Sequence, residues 1–140
     1  MPSESLQSIA QKMRRLDIAT FTTITDGGAL AGRPMSNNGD VEYDGNSYYF
    51  TWDRSRMVAD IGRNPQVNLG FEGQDGLFVC VAGQAELVRD KAQFAAHWLP
   101  ELEQWFEDGV DTPGLIMIRV RAQRIKTWQG EDTGEWHAGA

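Results

Sequence analysis

The sequence predicts a mostly β, α+β domain: roughly six antiparallel strands with short helices between them. Three observations predict it. Segments of strand length rich in β-branched and aromatic residues recur along the chain, and clusters of Gly, Asn and Asp separate them. Apolar residues at three- and four-residue spacing appear only in short stretches. A small closed barrel is the natural arrangement, because closure removes exposed sheet edges. Sandwich packing is the alternative, and periodicity does not separate the two.

The first element is a helix, with Leu6, Ile9, Ala10, Met13 and Leu16 forming one apolar stripe and Ser3 or Ser5 as its cap. A strand follows over Ile18 to Thr25, and Asp26-Gly27-Gly28 turns the chain antiparallel into Ala29 to Ser36. Pro34 interrupts that second strand. A residue without an N–H belongs at a sheet edge, a bulge or a strand break, where backbone groups stay open to a ligand. Asn37 to Asp40 ends the strand. A second hairpin joins Val41-Glu42-Tyr43 to Ser47 through Trp52 by way of Asp44-Gly45-Asn46.

Asp53 is the expected cap of a helix that buries Met57, Val58 and Ile61 and stops at Asn64-Pro65. Gln66 to Glu72 alternates as a strand. The long strand Leu77 to Arg89 carries Gly83, which marks a bulge or bend of the kind that a closing sheet needs. Asp90 caps a third helix, broken at Pro100, with Phe94, Trp98, Leu102, Trp105 and Phe106 along it. The last strand runs from Leu115 to Trp128, and residues 130–140 read as a mobile tail, leaving 1–129 as the domain.

Composition narrows the function. A net charge of −7 makes sequence-independent binding to nucleic acid, or to an anionic membrane surface, a poor fit. A single cysteine, Cys80, excludes an internal disulfide and a cysteine-built metal site, and its apolar neighbours point to a buried strand thiol. The polar start and the lack of a long apolar run imply a cytoplasmic protein. Neither dinucleotide nor nucleoside-triphosphate glycine motifs are present. His97 and His137 lack metal-like spacing, so no metal site is expected, and Glu101, Glu103, Glu107 and Asp108 read as a solvated face.

Chemistry concentrates at Asp53-Arg54-Ser55-Arg56. Free N–H groups, the helix dipole, a hydroxyl and a guanidinium at a helix start suit a phosphate, although solvated arginines flanking a helix are the plainer explanation of that stretch alone. Arg33 strengthens the phosphate reading, and Tyr49-Phe50-Thr51-Trp52 leads straight into the helix start. A planar ring with a terminal phosphate, as in FMN, needs both features. For the strand aromatics by themselves, core packing is the ordinary role.

On these residues the chain resembles the general stress protein 26 group of the pyridoxamine 5′-phosphate oxidase-like, FMN-binding split-barrel superfamily. The landmarks are Gly32-Arg33-Pro34-Met35, Tyr49-Phe50-Thr51-Trp52 and Ser55-Arg56-Met57-Val58, followed by Asn64 to Leu69, Val81 to Leu87, Trp98, Trp105-Phe106 and Thr127-Trp128. The resemblance implies a six-stranded antiparallel split β-barrel and a homodimer with FMN in clefts at the subunit interface. It places Arg33, Pro34, Met35 and Ser36 at the flavin edge, with Phe50, Thr51 and Trp52 beside it. Ser55 and Arg56 would hold the phosphate, where the family usually has lysine at the second position. Trp98 and Trp128 would approach from the second subunit.

The resemblance implies a flavin-dependent oxidoreductase with a nicotinamide donor, or else a non-enzymatic flavin carrier or stress sensor. FAD is open as the cofactor, and related barrels bind haem or a deazaflavin. Haem would need His97 or His137 as its axial ligand. Pyridoxamine phosphate oxidases continue into a segment whose Arg and His residues hold the substrate. Here residues 130–137 are acidic, so pyridoxamine phosphate turnover is not expected.

Overall fold

The computed structural model describes residues 1–37 and 42–139. In chain order its regular elements are α1 (Leu6–Met13), β1 (Ile18–Ile24), β2 (Leu30–Ser36), β3 (Asn46–Trp52), α2 (Arg56–Arg63), β4 (Gln66–Glu72), β5 (Leu77–Val88), α3 (Lys91–His97), β6 (Leu115–Gln129) and β7 (Asp132–His137). Two 3₁₀ turns, Pro100–Gln104 and Gly109–Asp111, join α3 to β6. The strands form one antiparallel sheet in the order β2-β1-β4-β5-β6-β3, with β7 added to β6.

Alternation builds the sheet. Ala19, Phe21 and Thr23 of β1 point inward, as do Val67, Leu69 and Phe71 of β4 and Leu77, Val79 and Val81 of β5. The inward face of α1, Ile9, Ala10 and Met13, covers them. The sheet curls strongly, since Phe21 on β1 meets Tyr49 on β3 edge to face, with ring centroids 5.3 Å apart. The two ends of the strand order therefore approach across one core, giving a mostly β, split-barrel-like fold.

The curl is built into β5 and β6. Their register shifts between Ala82 and Gly83, and a Cβ at Gly83 would collide with the Arg121 carbonyl oxygen. Only glycine lets the two backbones come this close. The bend divides β6: its first half pairs with β3 and its second half with β7.

Several expectations need correction. Among the described residues the sheet has seven strands, because the expected tail contributes β7, whose Trp136 packs on the core. A short, acidic and glycine-containing composition misled there; the strand is held by β6 on one side and by the N-terminal segment on the other. Glu4 N–H donates to the Glu135 carbonyl (2.9 Å) and Glu135 N–H to that of Pro2 (2.8 Å). The hairpin partner expected at Val41–Tyr43 does not form at Glu42 and Tyr43, which carry no strand; Val41 and the turn before it lie outside the described residues. β3 pairs with β6 instead. Ser55, not Asp53, caps α2, its hydroxyl accepting from Val58 N–H at 3.3 Å, while Asp53 N–H is taken by the Gly114 carbonyl. Cys80 is half-buried on the outer face, 3.1 Å from Asn68 Oδ1, and not in the core. Among the described residues no helix is long and apolar enough to cross a membrane.

Candidate functional site

The site follows from which backbone groups the sheet leaves unpaired. Asn37 N–H bonds the Asp17 carbonyl and Thr25 N–H that of Ala29, so the odd-numbered residues of β2 face β1. The even-numbered residues, Gly32, Pro34 and Ser36, turn their backbone groups to the free edge. Pro34 thus sits where its missing N–H costs no ladder bond. The same parity holds on β3. Ala122 N–H to the Gly45 carbonyl and Asp53 N–H to that of Gly114 set the odd residues against β6. Tyr48, Phe50 and Trp52 then present theirs to the opposite edge.

These two free edges border one cavity of ≈ 930 Å³. Pro34, Met35 and Ser36 line it from β2, and Tyr48 to Trp52 line it from β3. α3 and the 3₁₀ turn after it form a third wall carrying His97, Trp98, Leu102 and Trp105. The walls are aromatic and mutually braced. Tyr48 stacks on His97 at 3.6 Å, Phe50 meets Trp98 at 5.1 Å and Trp52 meets Phe106 at 4.9 Å. Trp105 is 57 % exposed, an unusual state for so large a ring.

Polar groups in the wall are unevenly satisfied. The buried phenol oxygens of Tyr43 and Tyr49 have no hydrogen-bond partner among the described residues. Burial pushes both phenols well above their ordinary pKa; Ser47 nearby acts in the opposite direction without outweighing it. The His97 imidazole is held below its ordinary value by burial first and by the Arg119 charge second, against Asp44. Its surroundings therefore favour the neutral imidazole.

At the far end of β3 the chain turns into α2. Ser55 N–H bonds the Trp52 carbonyl at 3.0 Å, and Arg54 lies over the Trp52 ring at 5.5 Å. Arg56 is exposed at the first helical position. Arg33 is placed differently from the expectation. Its guanidinium donates to the Phe21 carbonyl (3.3 Å) and to Thr23 Oγ1 (2.9 Å), and lies 3.8 Å from Asp60 of α2.

Of the residues singled out in the sequence, Pro34, Met35, Ser36, Phe50, Thr51, Trp52 and Trp98 line the cavity. Arg33, Ser55 and Arg56 are not in its lining; the last two begin the helix that β3 leads into. Trp128 lies on the outer face beside Phe78, with Gly76 and Gly130. Trp98 reaches the cavity within one chain and needs no second subunit. Tyr43 and Glu101 of the lining were not foreseen as site residues, and no motif in the sequence distinguishes them; His97 was singled out only as an axial ligand for haem.

Residues 4–137 match the family model described as pyridoxamine 5′-phosphate oxidase like. The chain belongs to that family. Solved structures agree on the fold of this pyridoxamine 5′-phosphate oxidase like chain. A protein from Clostridium acetobutylicum related to general stress protein 26 of B. subtilis superimposes with a TM-score of 0.81 at 18 % identity, covering 95 % of this chain and 94 % of its own. General stress protein 26 from Bacillus anthracis gives 0.77 at 18 % identity, over 94 % and 98 %. A heme binding protein from Mycobacterium smegmatis gives 0.70 at 17 % identity, over 98 % of this chain and 60 % of that one. No protein of curated function matches the sequence.

Proposed function

We propose that the protein is a homodimeric FMN-dependent oxidoreductase, with the flavin ring in the split between β2 and β3 and the flavin phosphate at the start of α2. The observation that carries this reading is the continuity of β3 with α2. One strand lines the cavity with Tyr48 to Trp52, and three residues later the chain supplies the Ser55 hydroxyl, first-turn N–H groups and Arg56. The residues fit the group. Unpaired backbone donors and acceptors at Pro34, Ser36, Tyr48 and Phe50 suit the polar edge of a flavin, and the helix start suits its phosphate. Bound FMN would supply hydride or electron transfer, for which a nicotinamide is the natural donor.

Arg33 acts indirectly in this reading, tying β2 to β1 beneath the helix. FAD is compatible, since the start of α2 is open to solvent. The dimer is supported by apolar side chains on the outer face of the sheet: Ile18, Leu30 and Phe78 are exposed there, and Trp128 lies opposite Phe78. A non-enzymatic flavin carrier would use the same pocket. Haem is a second reading, favoured by a neutral His97 in the cavity wall.

The visible spectrum of gently purified protein, followed by FMN titration, tests the proposal. Stoichiometric flavin binding is expected, weakened by Arg56→Ala roughly 10- to 100-fold, the scale of one hydrogen bond to a charged group. Absence of binding defeats it, and Soret bands in its place favour haem. Fast anaerobic bleaching by NADH or NADPH separates enzyme from carrier. A strict monomer in sedimentation at micromolar concentration contradicts the dimer.

A further inference from the structure

The cavity has a charge that FMN does not explain. Asp17, Glu42, Asp44 and Glu101 all line it and all reach water, and none is engaged in an ion pair among the described residues. Among the described residues of the lining, Arg14 and a His97 whose protonation burial disfavours stand against these four carboxylates; the Arg119 charge that reaches His97 is itself paired with Glu86. A concave surface of one sign concentrates ligands of the other, and a net charge of −7 on the whole chain adds to that field.

The remaining lining is aromatic. Trp105 stands largely in water at this wall, with Glu101 on the same 3₁₀ turn, and Tyr48 and Trp98 are half-buried beside it. The negative faces of such rings attract cations, most strongly where carboxylates lie alongside. The buried phenols of Tyr43 and Tyr49 add hydrogen-bonding capacity that nothing in the described chain uses. Capacity matters too. A volume of ≈ 930 Å³ is near the top of the range for one drug-sized ligand, about 300–1,000 Å³, leaving space beside a flavin ring.

We propose that the wall formed by Tyr43, Asp44, Tyr48, Glu101 and Trp105 is a binding site for a flat aromatic cation. In the terms of the function proposed above, that molecule is the second substrate, and in that sense the inference rests on that reading. The binding itself does not require the flavin. Aromatic stacking provides affinity, and the carboxylates provide selection against ring systems that carry an anionic group close to the ring.

Three probes of one ring system test it: N-methylquinolinium, neutral quinoline and quinoline carboxylate, by equilibrium dialysis and by quenching of tryptophan fluorescence. The protein is used as purified and again after FMN loading. The cation is expected to bind roughly tenfold tighter than the neutral ring, with the anion weakest. That preference shrinks when ionic strength rises toward about 1 M, where screening extends over only about 3 Å. Glu101→Gln with Asp44→Asn should cut the preference severalfold while keeping quinoline binding, and Trp105→Leu should weaken all three probes. Trp105 and both carboxylates are exposed, so the variants should fold, which circular dichroism checks.

Equal or tighter binding of the anion overturns the proposal, as does a cation preference that the double carboxylate variant leaves undiminished. The two readings fail separately. Cation binding without FMN binding removes the flavin function and leaves this site standing, whereas FMN binding with no cation preference removes this site alone.

Discussion

Replacing Asp60 with alanine removes the group that fixes α2 to the sheet, and the cost follows from its three contacts. Asp60 is buried, 5 % exposed, and accepts from Thr23 Oγ1 at 2.7 Å. A buried hydrogen bond to a charged acceptor is worth about 1.5–3 kcal/mol. Arg63 approaches the other oxygen to 2.8 Å, but its side chain is half exposed, so screening limits that pair to about 0–1 kcal/mol. Arg33, at 3.8 Å, is beyond hydrogen-bond range. The sum is roughly 2–4 kcal/mol, and at about 3–5 °C per kcal/mol it lowers Tm by roughly 10 °C.

Urea unfolding at one fixed protein concentration measures this, since the stability of an oligomer depends on protomer concentration. Thr23→Val should cost about 1–2 kcal/mol. The double variant should fall short of the sum by about 1 kcal/mol, because each substitution has already removed the shared bond. A loss below about 1 kcal/mol for Asp60→Ala, or strict additivity with Thr23→Val, would refute the contact-by-contact reasoning.

Three further outcomes are expected. Burial alone would raise the Glu4 carboxyl, but hydrogen bonds from Lys12, Ser8 and Thr127, with the Lys12 charge, hold it below its ordinary 4.5. A depressed carboxylate contributes stability that is complete above its unfolded value and lost as pH falls through the folded one. Acid should therefore loosen the junction of α1 with β7 below about pH 4.5, and Glu4→Gln should flatten that pH dependence in hydrogen exchange. Gly83→Ala should destabilise by about 1–3 kcal/mol in urea, because the new methyl meets the Arg121 carbonyl; a neutral result would mean the bend relaxes freely. Pyridoxamine 5′-phosphate should not be oxidised at rates typical of enzymes, since its phosphate meets the carboxylates of the cavity, and an oxygen-consumption assay checks this.

Strand content and order were legible because alternation is a local property. Gln66–Glu72 reads identically in sequence and structure, and Gly83 announced its bulge through a requirement only glycine meets. Strand partners were less legible. Glu42-Tyr43, a short turn and then Ser47 to Trp52 look like a hairpin, yet the partner of β3 is β6, nearly 70 residues away by register. A long apolar strand competes for that edge better than a three-residue one with an acidic residue at its centre. β7 was hidden for a related reason: its stability comes from β6 and from the Pro2–Glu4 segment, not from its own composition. At the site, Pro34 and the β3 aromatics were readable from local chemistry. Arg33 was misplaced because a strand residue may serve either face, and only the buried Asp60–Thr23 pair decides which.

The location of the cavity has a physical reason beyond the presence of these side chains. Free strand edges are a liability, since unpaired N–H and C=O groups recruit other strands. A seven-stranded sheet that curls without closing leaves two such edges, β2 and β3, bordering the same space. β2 blunts its edge with Gly32 and Pro34, and Pro34 stands at the parity where an incoming strand would need an N–H. β3 carries bulky rings at the same parity, backed by α3, which obstruct an added strand sterically. Edges defended in this way still offer backbone groups to something flat and rigid that is not a peptide. In the proposed function the split excludes strands and admits a planar ligand by one arrangement, and replacing Pro34 with a β-branched residue should reveal both halves at once: concentration-dependent aggregation in light scattering, together with weaker FMN binding.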